Sequence, residues 1–191
     1  MPWHNTMASN EIQTADDLKA LILSCGARNA AVVGNDQIVL STDFREICKG
    51  NACGNYGQCY MCPPDVGEID DLMARLRTFQ TGILYQAVYS LEDSYDFEGM
   101  QAAGAAFNRT SQVIHDKVLE GFNLPFLHLA AGGCRICEVC AKRDGQPCRE
   151  PDKALPSLEA YGVDVYRTAT NAGLKYINGQ DTVTYFGMLL V

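Results

Sequence analysis

The chain has 191 residues, of which 47% are hydrophobic and 20% are charged, an ordinary balance for a globular protein. Its formal net charge of −8 argues against a nucleic-acid or anionic-membrane partner. No apolar run approaches the roughly 20 residues of a membrane helix, and no basic region with an apolar segment opens the chain, so we expect a cytoplasmic protein. We expect residues 1–191 to form one domain, with residues 1–10 as a flexible tail.

The first part of the chain predicts a helix and then a hairpin. The helix follows Thr14 and carries its apolar side chains on one face. Residues 30–33 and residues 37–40 are β-prone and flank a Gly-Asn-Asp turn. Two such runs around a turn of this composition are typical of a β-hairpin.

The middle of the chain predicts a strand–helix–strand unit. A helix starting at residue 65 or 67 precedes a central strand over Thr81–Ser90. Ser94 suits the N-cap of a long helix that runs to about Gly121, and residues 126–131 form the next strand. This order favours a βαβ unit, whose crossover is expected to be right-handed.

The last part predicts short helices and a second hairpin. The helices cover residues 157–160 and 163–173, and Asn178-Gly179 is the turn between residues 174–177 and 182–191. The predicted fold class is therefore α/β (α+β): a mixed β-sheet with packed helices and two cysteine-rich metal-binding loops.

Eight of the nine cysteines fall into two groups, and the second group is the more specific. It reads C-x2-C-x2-C at Cys134, Cys137 and Cys140, with Cys148 farther on. Three thiols at this spacing are typical of loops that bind a [4Fe–4S] cluster. Zinc is the alternative, although structural zinc sites usually pair two C-x2-C knuckles. Cys148 either closes the same cluster or reaches across to another one.

The first group has the looser spacing C-x4-C-x5-C-x2-C and ends at Pro63-Pro64. Its members are Cys48, Cys53, Cys59 and Cys62. In a reducing compartment, clustered cysteines indicate metal ligands rather than disulfides. Two groups of four thiolates fit two [4Fe–4S] clusters, with zinc again the alternative.

Three other residues with metal-binding chemistry are interpreted as structural. Cys25 lies on an apolar helix face and is expected to be a core thiol. His115 and His128 are interpreted as packed or surface histidines rather than ligands.

Several motifs in combination resemble a known family. They are Cys53-Gly-Asn-Tyr-Gly, Cys62-Pro-Pro, the C-x2-C-x2-C run, Pro147-Cys-Arg-x-Pro, Pro156-Ser-Leu-Glu-Ala and Gly162-Val-Asp-Val. Together they are similar to the cysteine-rich predicted metal-binding proteins of domain-of-unknown-function family 2284, from about residue 25 to the C-terminus. The resemblance implies metal binding, favours iron–sulfur, and implies no particular reaction.

The resemblance also sets Cys59 apart from the other clustered cysteines. In that family its position usually carries a small or polar residue. This implies a first site with only Cys48, Cys53 and Cys62, which would leave one iron open.

Three functions follow from these patterns. The first is electron transfer by two [4Fe–4S] clusters to a redox partner protein in anaerobic metabolism. The second is an enzyme that binds substrate at a cluster held by three thiolates, and the third is a structural zinc protein. The sequence predicts neither a substrate nor an oligomeric state.

Overall fold

A computed structural model describes residues 14–191, and the tail predicted for residues 1–10 lies outside them. The helices are α1 (Ala15–Ser24), α2 (Asp43–Lys49), α3 (Ile69–Arg77), α4 (Phe97–Gly121) and α5 (Val165–Asn171). The strands are β1 (Asn29–Gly34), β2 (Thr81–Ser90), β3 (Leu127–Leu129) and β4 (Thr182–Leu190). Within the described part of the chain, no helix has the length and apolar character needed to cross a membrane.

The four strands form one sheet in the order β1-β2-β4-β3, and every neighbouring pair is antiparallel. Because β2 and β3 both run antiparallel to β4, they run parallel to each other with β4 between them. The predicted strand–helix–strand unit is therefore present, but the C-terminal strand has been inserted into it. A direct parallel contact occurs at the isolated bridge between Ala130 and Ser157. The α+β class is confirmed.

Alternating residues of the central strands supply two cores, one on each face of the sheet. Leu84 and Met188 belong to the core that α3 and α5 cover. Ile83 and Leu189 belong to the core that α1 and α4 cover. Successive side chains of a strand point to opposite faces, so strands that are buried on both faces are apolar throughout.

The long helix α4 crosses the sheet at a point where a glycine allows close approach. A Cβ added at Gly104 would lie 3.2 Å from Oη of Tyr185, and the Tyr185 hydroxyl donates to the carbonyl of Met100 at 2.8 Å. The helix is capped by Asp96, whose Oδ1 accepts from N–H of Gly99 at 2.8 Å. The cap predicted at Ser94 was two residues too early.

The first predicted hairpin is wrong. β1 pairs with β2, while Asn35–Gln37 form a short 3-10 helix that takes residues 37–40 out of the sheet. The Asn35 side chain donates to the carbonyls of Leu76 and Phe79 at 3.2 and 2.7 Å. These bonds to α3 and the residues after it hold the turn against the helix, so long-range contacts override the local hairpin pattern.

The second predicted hairpin is also wrong, because β4 pairs with β2 on one side and with β3 on the other. No edge of β4 is left for residues 174–177. That segment contacts the sheet through side chains instead, with the Tyr176 ring stacked on Phe186 at a centroid distance of 5.6 Å.

The last predicted helices are present in shorter form. The one predicted at residues 157–160 is a 3-10 turn over Glu159–Tyr161, and the one at 163–173 is α5.

Candidate metal centre

The first cysteine loop begins within a helix that the sequence did not predict. Cys48 lies in the last turn of α2, and Gly50 ends that helix. A series of tight turns then follows, with N–H of Asn51 donating to the carbonyl of Cys48 at 3.0 Å. The Asn51 side chain accepts from N–H of Tyr56 at 3.0 Å. The loop is therefore built on its own backbone and asparagine hydrogen bonds, as expected for a segment rich in Gly and Asn.

The second cysteine loop begins just after β3, at the edge of the sheet. Gly132 has a φ of +68°, a conformation that glycine adopts without strain, and it turns the chain two residues before Cys134. Farther along the loop, the Arg149 guanidinium donates to the carbonyl of Val139 at 3.0 Å. This bond closes the loop and brings the segment around Cys148 back toward the C-x2-C-x2-C run.

The four thiols of the second group surround one small cavity. Ala141, Arg149 and Glu150 complete part of its wall, and its thiol lining is Cys134, Cys137, Cys140 and Cys148. The sequence left open where Cys148 points, and the structure places it with the other members of its own group. All nine cysteines are described, and all are free thiols.

The four thiols of the first group differ in how far they are exposed to solvent. Cys62 and Cys59 are buried, Cys48 is partly buried and Cys53 is exposed. Cys48 and Cys53 lie close enough to Cys62 that a negative charge on either of them raises the pKa of Cys62. Arg45 and Glu159 also act electrostatically on Cys48.

Cys59 is the residue at which the two groups meet. The thiols of Cys62 and Cys140 and the backbone N–H groups of Met61 and Cys134 all lie close enough to its sulfur to favour the thiolate form. Only 3% of Cys59 is exposed. The residue that family resemblance set apart is therefore among the best enclosed thiols of the chain.

These contacts and burial give the clustered thiols different pKa values. The contacts lower the pKa of Cys59 to about 6, with the thiol of Cys62 as the largest cause and burial acting in the opposite direction. The contact between the two thiols raises the pKa of Cys62, and burial raises it further. Burial also raises the pKa of Cys134 to about 11. Metal binding requires thiolates, and Cys59 is the one that these contacts bring closest to that form.

Contacts outside the thiols also connect the two loops. Lys142 forms an ion pair with Asp65 and lies over the ring of Tyr60, 5.5 Å from its centroid. The hydroxyl of Tyr60 donates to the carbonyl of Gln146 at 2.8 Å. The two loops therefore form a single cysteine-rich unit at one end of the sheet.

A cleft of about 730 Å³ opens between these loops and the first turns of α4. Thiols from both groups line it: Cys53, Cys59, Cys134, Cys137 and Cys140. Its polar lining includes Asn55, Gln58, Arg135 and Arg143. In residues 14–191, no three His, Cys, Asp or Glu side chains converge on a single metal-ion position.

Glu159 and Arg45 lie near Cys48, and the sequence did not identify them as neighbours of the site. Glu159 lies within the Pro156-Ser-Leu-Glu-Ala motif, so the resemblance held a signal for it. Burial raises the pKa of its carboxyl group, which its own N–H and the Ser157 hydroxyl partly counteract. Arg45 lies three residues before Cys48, and the sequence did not predict the helix α2 that brings the two side chains onto one face.

The chain matches a family of known proteins. Residues 31–191 match the family described as "Predicted metal-binding protein (DUF2284)". The comparisons with curated proteins and with solved structures found no match.

Proposed function

The chain belongs to this family of predicted metal-binding proteins, and on that premise we propose that it holds two [4Fe–4S] clusters and transfers electrons in anaerobic metabolism. The observation that carries the proposal is the single small cavity lined by Cys134, Cys137, Cys140 and Cys148. Four thiolates around one space are the ligand set of a cubane cluster. The cavity also supports Cys148 as the ligand that closes its own cluster.

For the other cluster we propose Cys48, Cys53 and Cys62, with Cys59 as the fourth ligand. Cys59 is supported by its proximity to Cys62 and by its burial. The proximity of Cys59 to Cys140 supports an arrangement in which the two ligand sets lie side by side. Neighbouring clusters suit an electron-transfer protein, because electrons can then pass from one to the other.

The surrounding residues are suited to holding anionic clusters. Arg149 and Arg45 lie near the second and first group respectively, and cations there would offset negative charge. The N–H groups of Met61 and Cys134 lie near the sulfur of Cys59, and hydrogen bonds from such groups to sulfur help set a cluster potential. When bound, the clusters would supply one-electron transfer.

The proposed redox partner would approach at the first group. Cys53 is the exposed thiol among the eight clustered cysteines, so the first cluster would reach the protein surface at this ligand. Because the chain carries a net charge of −8, a partner with a basic surface would associate faster at low ionic strength.

Redox titration of the anaerobically purified protein tests this function. We expect reversible one-electron reductions and electron paramagnetic resonance signals from two clusters. Cys134→Ala should remove one cluster, whereas Cys25→Ala should keep both, because Cys25 packs in the apolar core beside α1. A colourless protein with bound zinc and no reducible centre would instead support the structural zinc alternative.

A second function is favoured by the cleft between the loops. An enzyme with a three-thiolate cluster needs an open iron beside a polar pocket, and the cleft brings Asn55, Gln58 and Arg135 close to the thiols. In this alternative, Cys59 is not a ligand. Cyanide binds an open iron, so a cyanide-dependent change in the spectrum of the wild-type protein would favour the enzyme. No change at saturating cyanide would favour electron transfer.

A further inference from the structure

A groove of about 480 Å³ lies between the long helix α4 and the second cysteine loop. Its helical wall consists of residues spaced i, i+3, i+4, i+7 and i+8, which share one face of a helix. These residues are Ala105, Asn108, Arg109, Gln112 and Val113. The loop contributes Arg135 and Ile136, and we call the space between them the arginine groove.

The arginine groove adjoins the site of the proposed second cluster. Ile136 lines both the groove and the small cavity enclosed by the second cysteine group. In sequence it lies between Cys134 and Cys137, two of the thiols around that cavity. A molecule in the groove would therefore be one side chain away from the cluster. Electron transfer needs close approach of two redox centres, so this position suits an electron donor or acceptor.

The groove is basic, although the chain as a whole carries a net charge of −8. Its charged residues are Arg109 and Arg135, and no described carboxylate lines it. Neither guanidinium forms an ion pair within residues 14–191, and both residues are exposed. Two positive charges are therefore available to a negatively charged partner.

The two arginines lie near a pair of adjacent tyrosines. Burial raises the pKa of Tyr89 and Tyr185, and the charges of Arg109 and Arg135 respectively counteract this rise. The two tyrosine rings contact edge to face at a centroid distance of 6.4 Å. One acidic surface can therefore reach both guanidinium groups.

The polar side chains of the groove are already used within the protein. The Asn108 amide donates to the carbonyls of Gly104 and Ala131 at 2.9 and 3.3 Å. The Gln112 amide donates to the carbonyl of Lys153 at 3.0 Å. The surface left for a partner consists mainly of the two arginines and of apolar side chains.

This composition favours a protein over a small polar ligand. Val113 is 45% exposed at the groove, and Ile136 lies beside Arg135. Arginine next to apolar side chains is typical of protein–protein interfaces. A second copy of this chain is a poor occupant, because a symmetric dimer would set the arginines of one copy against those of the other.

We propose that the arginine groove docks an acidic electron-transfer protein, which exchanges electrons with the cluster of the second cysteine group. The inference rests on the proposed two-cluster function. One electron passes between a redox centre of the partner and this chain, and no bond forms or breaks. This partner is separate from the basic one proposed at Cys53, because opposite charges recognise the two. A chain with both contacts can accept electrons from one protein and pass them to another.

Charge reversal tests the two arginines, with a plant-type [2Fe–2S] ferredoxin as a small acidic probe. Fluorescence anisotropy of the labelled probe measures its docking to the metal-loaded full chain at low ionic strength. Arg109→Glu and Arg135→Glu should each weaken docking at least about fivefold, and this loss should shrink at high salt. Arg28→Glu changes the net charge equally at an exposed site outside the groove, and should weaken docking less than about twofold. No docking of the wild type, or equal weakening by all three changes, would overturn the proposal.

An acidic residue placed in the groove tests it without removal of an arginine. Val113 and Leu119 are both exposed on α4, and Val113 lines the groove whereas Leu119 does not. Val113→Glu should weaken docking at least about fivefold, whereas Leu119→Glu should change it less than about twofold. Thermal melting and metal content of the same samples report on folding and on the cysteine site. Wild-type docking by a folded Val113→Glu variant would contradict the assignment.

Docking and electron transfer are measured separately, so the two claims can fail separately. Anisotropy needs no reducible metal, and a chain with two reducible clusters but no arginine-dependent docking would overturn this inference alone. Arginine-dependent docking to a chain whose metal cannot be reduced would support the docking surface and contradict the proposed function.

Discussion

The thiol of Cys140 lies close enough to Cys59 to help lower the pKa of that residue, and the two cysteine loops meet at this pair. Each loop is far from the other in sequence, and neither has much apolar surface of its own. The thiol contacts therefore make the geometry of one loop depend on the other. Folding of both loops is expected to be linked to metal binding.

Removing the Cys59 sulfur should cost the protein its first cluster. Cys59→Ala deletes the proposed fourth ligand and leaves a cavity between buried thiols, so the iron content should fall to about half of the wild-type value. Iron analysis under anaerobic conditions measures this. Cys25→Ala is the matched control and should retain all of its iron. If Cys59→Ala also retained it, Cys59 would not be a ligand and the three-thiolate enzyme would be favoured.

Loss of the ion pair between the two cysteine loops should speed the release of iron without unfolding the protein. Lys142→Gln removes the partner of Asp65, and both side chains of that pair are partly buried. We expect faster release of iron to a chelator. The control is Lys153→Gln, because Lys153 pairs with Glu150 at 3.9 Å in an exposed position, where ion pairs contribute little. Equal release rates in the two variants would argue against a role for Lys142.

A methyl group at Gly187 should destabilise the sheet. The ring of Tyr85 covers this glycine in the neighbouring strand, and an added Cβ would lie 2.3 Å from its Cζ. Gly187→Ala should lower the free energy of unfolding by about 1–3 kcal/mol. In the Tyr85→Leu background the same change should cost much less. A similar cost in both backgrounds would show that the ring is not the obstacle.

Sequence patterns predicted the parts of the fold that depend on local periodicity. The strand Thr81–Ser90 has its predicted bounds, and α3 and α4 lie where their apolar faces indicated. The two predicted hairpins are absent, because strand pairing depends on contacts between distant parts of the chain. β4 lies between β2 and β3 and pairs with both of them.

The arrangement of the candidate site was also only partly predictable from the sequence. The spacing of Cys134, Cys137 and Cys140 was enough to predict that they surround one space. The position of Cys59 between the two groups could not be predicted, since it results from the packing of one loop against the other.

Protonation of His128 should make part of the stability depend on pH. Its folded pKa of about 3 lies below the ordinary value of 6.5, so in that interval the unfolded chain binds a proton that the folded chain does not. Stability should therefore fall as the pH drops from about 6.5 to about 3, by at most about 1.4 kcal/mol per pH unit from this group. Urea unfolding should show a weaker pH dependence for His128→Gln over this range. Identical profiles would mean that His128 becomes protonated in the folded protein.

The content of iron, sulfide and zinc in the anaerobically purified protein tests the central claim most directly. Two [4Fe–4S] clusters require about eight irons and eight sulfides per chain, with a brown chromophore. Stoichiometric zinc in a colourless protein without sulfide would contradict the account.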